Sequence, residues 1–201
     1  MVLAKQITLS DNELEYWLLG VIDIIGRWNS TRVTITSNDG QLTSNIYSII
    51  SSLAKNSFMT EGYKPGLIRI QASKIRSHSK LRLDSFLQLE NKDIRNIDLP
   101  LLINYLSGIL DAKAKVIYTN GWNKTNHQEY YLDICSTRKT IINNCYIALV
   151  ERLDINAKTY RDRNLYRLRI HKKEDIYKLN KLMKIRSYLL KDKIDELLSR
   201  I

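Results

Sequence analysis

Two nine-residue segments of one pattern, Leu18-Leu19-Gly20-Val21-Ile22-Asp23-Ile24-Ile25-Gly26 and Leu106-Ser107-Gly108-Ile109-Leu110-Asp111-Ala112-Lys113-Ala114, lie 88 positions apart in a chain of 201 residues. The first belongs to the apolar run Leu14, Trp17, Leu18, Val21, Ile22, Ile25, and the second to Leu101, Leu102, Tyr105, Leu106, Ile109, Leu110. Both have helical spacing. The order of strand and helix signals downstream of each segment repeats as well, so the chain reads as an internal repeat, which excludes most single-copy folds of this length.

In the first half, Ser10 and Glu13 form a capping box, with Asp11 in the first turn, and open a helix over about 11–26. The β-branched alternation Arg32-Val33-Thr34-Ile35-Thr36 predicts a strand closed by the turn residues Asn38-Asp39-Gly40, and Ile46, Ile49, Ile50 and Leu53 predict a helix over 42–55. Two short alternating segments, 67–71 and 80–83, come next. In the second half, Pro100 opens a helix, and a strand over 115–119 meets the hairpin signal Asn120-Gly121 before a return strand over 129–135. Ile141, Ile142, Cys145, Leu149 and Val150 mark another helix. A hairpin of 159–160 with 165–170 comes after it, then helices over 173–185 and 187–200. The expected fold is α+β, with two pseudo-symmetric αββαββα-like halves. The first, 1–98, has a shortened first hairpin, and the second, 99–201, carries an extra C-terminal helix.

Each nonamer resembles the signature of the LAGLIDADG homing endonuclease family, and two copies at this spacing resemble its two-motif monomeric members. The resemblance extends over nearly the whole chain, and the run Leu165-Tyr166-Arg167-Leu168-Arg169-Ile170-His171 is similar to the family's last strand. It implies a central helix pair and an antiparallel β-saddle over a DNA duplex. On physical grounds Gly20 and Gly108 let two helices approach closely, with Leu18, Ile22, Leu106 and Leu110 filling the seam. In the family, the eighth motif position is an acid that holds the divalent metal for phosphodiester cleavage. Here Ile25 and Lys113 occupy those positions, and neither ligates Mg²⁺. Asp23 and Asp111 project about 200° away around a helix of 3.6 residues per turn and read as polar helix-end residues. The expectation is therefore a protein without metal or other cofactor that does not cleave by the family mechanism.

Binding is a separate matter. The formal charge is +11, from 32 Lys and Arg against 21 Asp and Glu, and the second half carries most of it. Such a balance favours polyanions. Alternation puts Arg167, Arg169 and His171 on one strand face with Tyr166, Leu168 and Ile170 on the other. Arg69 with Gln71, and Lys80 with Arg82, repeat the pattern. Arg32, Lys115, Lys124, Arg161 and Arg163 extend the candidate DNA-binding set. Lys113, near the pseudo-dyad, is a candidate for a fixed cation beside the phosphates that a cleaving relative would attack. Trp28 and Trp122 are candidates either for stacking on nucleic acid or for covering the helix seam.

The predicted partner is double-stranded DNA, held by occupancy in a regulatory, architectural or recruiting role. Three alternatives stand beside it. One is an RNA-binding splicing cofactor, and another an active nuclease using Asp23, Asp111 or Glu129. The third is a protein-interaction module using the Lys- and Leu-rich helices over 173–200. Other chemistry has no foothold: His78, His127 and His171 are scattered, and there is neither a phosphate-binding Gly-rich loop nor a Gly-x-Ser-x-Gly elbow. The longest apolar stretch, Tyr16 to Gly26, is interrupted by Asp23 and too short to span a bilayer, and the sequence begins without a signal-peptide pattern. An intracellular location without membrane contact is expected, in cytoplasm and nucleoid or in a nucleus. Cys135 and Cys145 are expected as buried thiols.

Overall fold

The alternating and helical patterns are realised in a computed structural model as six helices and two antiparallel sheets among the described residues, which are 11–28, 32–53, 57–61, 68–73, 94–120 and 128–200. The first half gives α1 (Asp11–Ile25), β1 (Arg27–Trp28), β2 (Arg32–Ser37), α2 (Gly40–Leu53), β3 (Ser57–Glu61) and β4 (Ile68–Ser73). The second gives α3 (Leu99–Lys113), β5 (Lys115–Asn120), β6 (Gln128–Ser136), α4 (Lys139–Ile147), β7 (Lys158–Asp162), β8 (Leu165–Ile170), α5 (Lys173–Leu182) and α6 (Tyr188–Arg200). A π-helical turn, Ala148–Arg152, continues α4. The sheet orders are β1-β2-β4-β3 and β5-β6-β8-β7, one order repeated, all neighbours antiparallel.

The hairpin partner of β4 is β3, whose Met59 faces Ile70 in register and which the alternating pattern does not single out; the expected segment over 80–83 lies outside the described residues. Ser57-Phe58-Met59-Thr60-Glu61 has few β-branched residues to advertise a strand. Among the described residues, the outer strand of the first hairpin of this half holds Arg27 and Trp28.

Alternation decides the faces. Val33, Ile35 and Ile70 of the first sheet, and Leu132, Ile134, Leu168 and Ile170 of the second, are buried in one apolar core with α1 and α3. Leu18, Ile22, Leu106 and Leu110 are buried there too. The two motif helices touch at their glycines: a Cβ on Gly20 would meet the Tyr105 carbonyl oxygen at 2.0 Å, and one on Gly108 would meet that of Trp17 at 1.9 Å. Only glycine permits so close a backbone approach.

Across this contact the repeat exchanges hydrogen bonds. The Tyr105 hydroxyl donates to Asp23 at 2.8 Å, and the Trp17 indole N–H donates to Asp111 at 2.8 Å. Trp17 and Tyr105 occupy equivalent positions of the repeat, as do Asp23 and Asp111, so each half's carboxylate is met by the other half's aromatic donor. This corrects the reading of both aspartates as polar helix-end residues: they are buried at 4% and 6% exposure. Burial raises the Tyr105 phenol well above its ordinary range, and the neighbouring Asp23 charge adds to that. Burial likewise raises the Asp111 carboxyl to about 6, opposed by the N–H donors of Ser187, Trp17 and Arg186.

Two of these donors, Arg186 and Ser187, come from a strap, residues 183–187, between α5 and α6. The Arg186 and Ser187 backbone N–H groups donate to Asp111 at 2.9–3.0 Å, and the Lys184 N–H donates to the Ser107 hydroxyl at 2.9 Å. The Lys184 ammonium reaches Glu13 at 2.7 Å, and the Ser187 hydroxyl reaches Asp39, which caps α2 through the Leu42 N–H. The strap ends the predicted helix early, at Leu182 instead of 185, because its N–H groups are captured by side chains of α3. Leu190, Ile194 and Leu197 then anchor α6 in the core.

Candidate nucleic-acid interface

The sheet faces turned away from the core carry the candidate binding residues. In β4, Arg69 stands opposite Thr36 and Thr60, and Gln71 opposite Thr34 and Phe58. In β2, Arg32 stands opposite Ser73 and shares the parity of Thr34 and Thr36. In the second sheet, Lys115 is exposed and faces Asp133 in register, which puts it on the same side as Arg167 and Arg169. Lys80, Arg82, Lys124 and Trp122 lie outside the described residues.

Two members of the expected set lie off the face that carries Arg167 and Arg169. Arg161 pairs in register with Tyr166, so it belongs to the sheet face opposite Arg167, and its guanidinium lies 5.7 Å from the Tyr166 ring centroid. Arg163 lies in the β7–β8 turn with φ 54°, exposed and outside the ladder. Arg167 and Arg169 are on the expected face, but they are not simple solvated cations. Asp133, nearly buried between them, accepts from Arg167 Nη1 at 2.6 Å and from Arg169 Nε at 3.1 Å. Arg167 Nε also reaches Asp162 at 3.0 Å. Asp133 is legible in outline from the sequence, since Tyr131, Asp133 and Cys135 alternate with the buried Leu132 and Ile134.

The foot of the helix pair is a different environment. A cleft of about 860 Å³ opens there, lined by Ile24, Ile25, Gly26, Arg27, Thr34, Thr36, Arg69, Lys113, Cys135, Ser136, Thr137, Arg138 and Leu165. Four of these residues are cationic and none is acidic. Sequence patterning does not single out Arg27 or Arg138, although Arg27 occupies in the first half the place that Lys115 takes in the second, 88 positions on. Cys135 is half-buried and open to this cleft, which corrects its reading as a buried thiol, whereas Cys145 is fully buried and its thiol is pushed up to about 12 by desolvation.

The donor set does not suit a divalent metal. Hard cations take oxygen ligands, and the motif positions contribute an isoleucine and an ammonium. Asp111 is saturated by three N–H donors and Asp23 is engaged by Tyr105. Among the described residues no group of three His, Cys, Asp or Glu side chains is placed to hold a metal ion. No described helix is long and apolar enough to cross a membrane.

These features define a LAGLIDADG-like fold. Full-length DUF199/WhiA from Thermatoga maritima superposes with a TM-score of 0.70 over 97% of this chain, at 19% identity, and this chain spans 63% of that protein's length. The N-terminal LAGLIDADG domain of DUF199/WhiA matches with a TM-score of 0.67 at 18% identity, covering 90% of this chain and 87% of that one. The LAGLIDADG meganuclease I-AabMI, bound to uncleaved DNA, matches with a TM-score of 0.63 at 13% identity, covering 96% and 91%. No protein-family model and no curated protein sequence matches the chain.

Proposed function

We propose that this protein grips double-stranded DNA without cutting it and acts by occupancy, as a regulator or an architectural or recruiting factor, with both halves of one monomer contributing to the grip. The observation that carries this reading is the cleft at the helix foot, where Ile25 and Lys113 take the places of two metal-binding acids and Arg27, Arg69 and Arg138 join them without a carboxylate among the lining residues. Such a cleft attracts phosphate and disfavours Mg²⁺. The I-AabMI neighbour, which shares the fold, is bound to DNA. The exposed Lys115 and the net charge of +11 add a sequence-independent attraction.

The test is binding to random-sequence duplex DNA across a salt series with Mg²⁺ present, with cleavage read from the same samples. Intact DNA and an affinity that falls steeply with salt are expected, with a log–log slope of about −0.9 per phosphate contact. The double variant Arg27→Glu, Lys113→Glu lowers both affinity and slope. Cut DNA refutes the non-cleaving reading. Absence of duplex binding at every salt concentration refutes the DNA reading and turns attention to structured RNA or a protein partner.

A further inference from the structure

Arg169 is held in a way that a phosphate-binding arginine does not require. Its guanidinium packs against two tyrosine rings, 4.1 Å from the Tyr131 centroid and 4.4 Å from that of Tyr160. Its Nε donates to Asp133, and the Tyr160 hydroxyl points at the same carboxylate oxygen from 3.4 Å. The guanidinium is therefore held by two aromatic rings and along one edge. What remains is the terminal edge, Nη1 and Nη2, for which no acceptor lies among the described residues, on a side chain that is 26% exposed. Arg169 sits on β8, an inner strand flanked by β6 and β7, so this edge is presented from the floor of the sheet and not from its rim.

We infer that Arg169 is a specificity-determining residue that reads guanine in the major groove. The inference rests on the proposed DNA binding and deepens it. A fixed fork of two parallel N–H groups matches two acceptors side by side, and in the major groove that pair is O6 and N7 of guanine. A phosphate offers a similar pair, but the local charge argues against it. Arg167 and Arg169 are each matched by a carboxylate, Asp133 or Asp162, whereas Lys115 and Lys158, in register with Asp133 and Arg169 on the same face, are exposed lysines that carry its surplus charge. An ion-paired, rigid donor pair suits the edge of a base, whereas a polyanionic backbone is drawn to the flanking lysines. Asp133, Tyr131 and Tyr160 act as positioning residues. The first sheet has Gln71 at the matching register and Thr34 where Asp133 stands, so guanine selection by a clamped arginine is confined to one half of the site.

The test is selection of bound duplexes from a random pool by the intact chain and by Arg169→Lys, followed by affinity measurements on the selected site. The wild-type chain is expected to enrich a fixed guanine on one side of the site. Replacing that guanine with 7-deazaguanine, which lacks the N7 acceptor, lowers wild-type affinity about 5- to 100-fold. Arg169→Lys keeps the charge and the salt slope but loses both the guanine enrichment and the sensitivity to 7-deazaguanine. Asp133→Asn, checked for folding by thermal melting, weakens the guanine preference and leaves binding to random DNA in place. Selected sites with no fixed guanine, or a preference that survives in Arg169→Lys, overturn the inference while leaving DNA binding intact. Failure of the wild-type chain to bind any duplex overturns both.

Discussion

Gly20→Ala is expected to destabilise the protein strongly, although an alanine in place of an exposed mid-helix glycine ordinarily stabilises by about 1 kcal/mol. The added methyl group would sit 2.0 Å from the Tyr105 carbonyl oxygen, where real contacts of this kind do not fall below 3.0 Å. That oxygen is backbone in the middle of α3 and has no rotamer through which to escape. The two helices must therefore part by about 1 Å, and a gap of that size forfeits a quarter to a half of the dispersion energy across it. The same movement stretches the Tyr105–Asp23 and Trp17–Asp111 hydrogen bonds, each 2.8 Å long, beyond useful length. Each such loss at a buried carboxylate costs about 1–3 kcal/mol. Set against the propensity gain, the net destabilisation is about 3 kcal/mol or more, and Gly108→Ala should match it, because its methyl group would meet the Trp17 carbonyl oxygen at 1.9 Å. Urea titrations followed by far-ultraviolet circular dichroism measure the loss. Gly40→Ala, at the first position of α2 with nothing within 4 Å, serves as the control and should fall within about 0.5 kcal/mol of wild type. A Gly20→Ala protein as stable as wild type would refute the close-crossing argument.

Asp111 gives the fold a pH dependence of predictable sign. Its carboxyl is raised from 3.8 to about 6 in the folded protein, so the folded state holds the proton more tightly, and the stability this contributes is complete below pH 4 and lost as pH rises through 6. Relative to Asp111→Asn, wild-type stability should decline by about 1 kcal/mol between pH 5 and pH 7 in paired urea titrations, and a rise would contradict the assignment. The two thiols should also separate. In the native protein a maleimide reagent is expected to label Cys135 quickly and Cys145 only on unfolding, since Cys145 is fully buried and its thiol is pushed up to about 12. Duplex DNA in the cleft slows labelling of Cys135, and mass spectrometry of tryptic peptides distinguishes the sites; equal labelling of both would contradict the burial of Cys145.

The local signals in the sequence carry the architecture far. Glycine and aspartate at fixed positions in two apolar runs announce the motif helices, and period-two alternation places Arg167 and Arg169 on the face away from the core. What escapes depends on partners distant in sequence. Nothing near Asp23 announces that a tyrosine 82 positions on will donate to it, and nothing near Asp111 names an indole 94 positions back. A charge count treats Arg167 and Arg169 as free cations, because their neutralising partner lies on another strand, at Asp133. Most of the strap reads as helix, with 183–185 closing one predicted helix and 187 opening the next, and only the carboxylate waiting on α3 explains its non-helical course. β3 escapes for a simpler reason, namely a polar edge segment with weak alternation.

The strap also sets an order of events during translation. Helices α1 and α3 can cross once both have left the ribosome, and Trp17 then reaches Asp111. The backbone donors of residues 186 and 187 are still 75 and 76 positions away along the chain. At about 5–20 residues per second that interval lasts about 4–15 s, during which Asp111 has at most one of its three N–H donors, the Trp17 indole. Arrival of the strap closes contacts to Asp111, Asp39 and Glu13 together, the last across 171 positions. Contacts that span the chain so widely among the described residues are thus also among its latest, so a pause in synthesis upstream of residue 184 would lengthen the time the half-finished protein is exposed to chaperones and proteases.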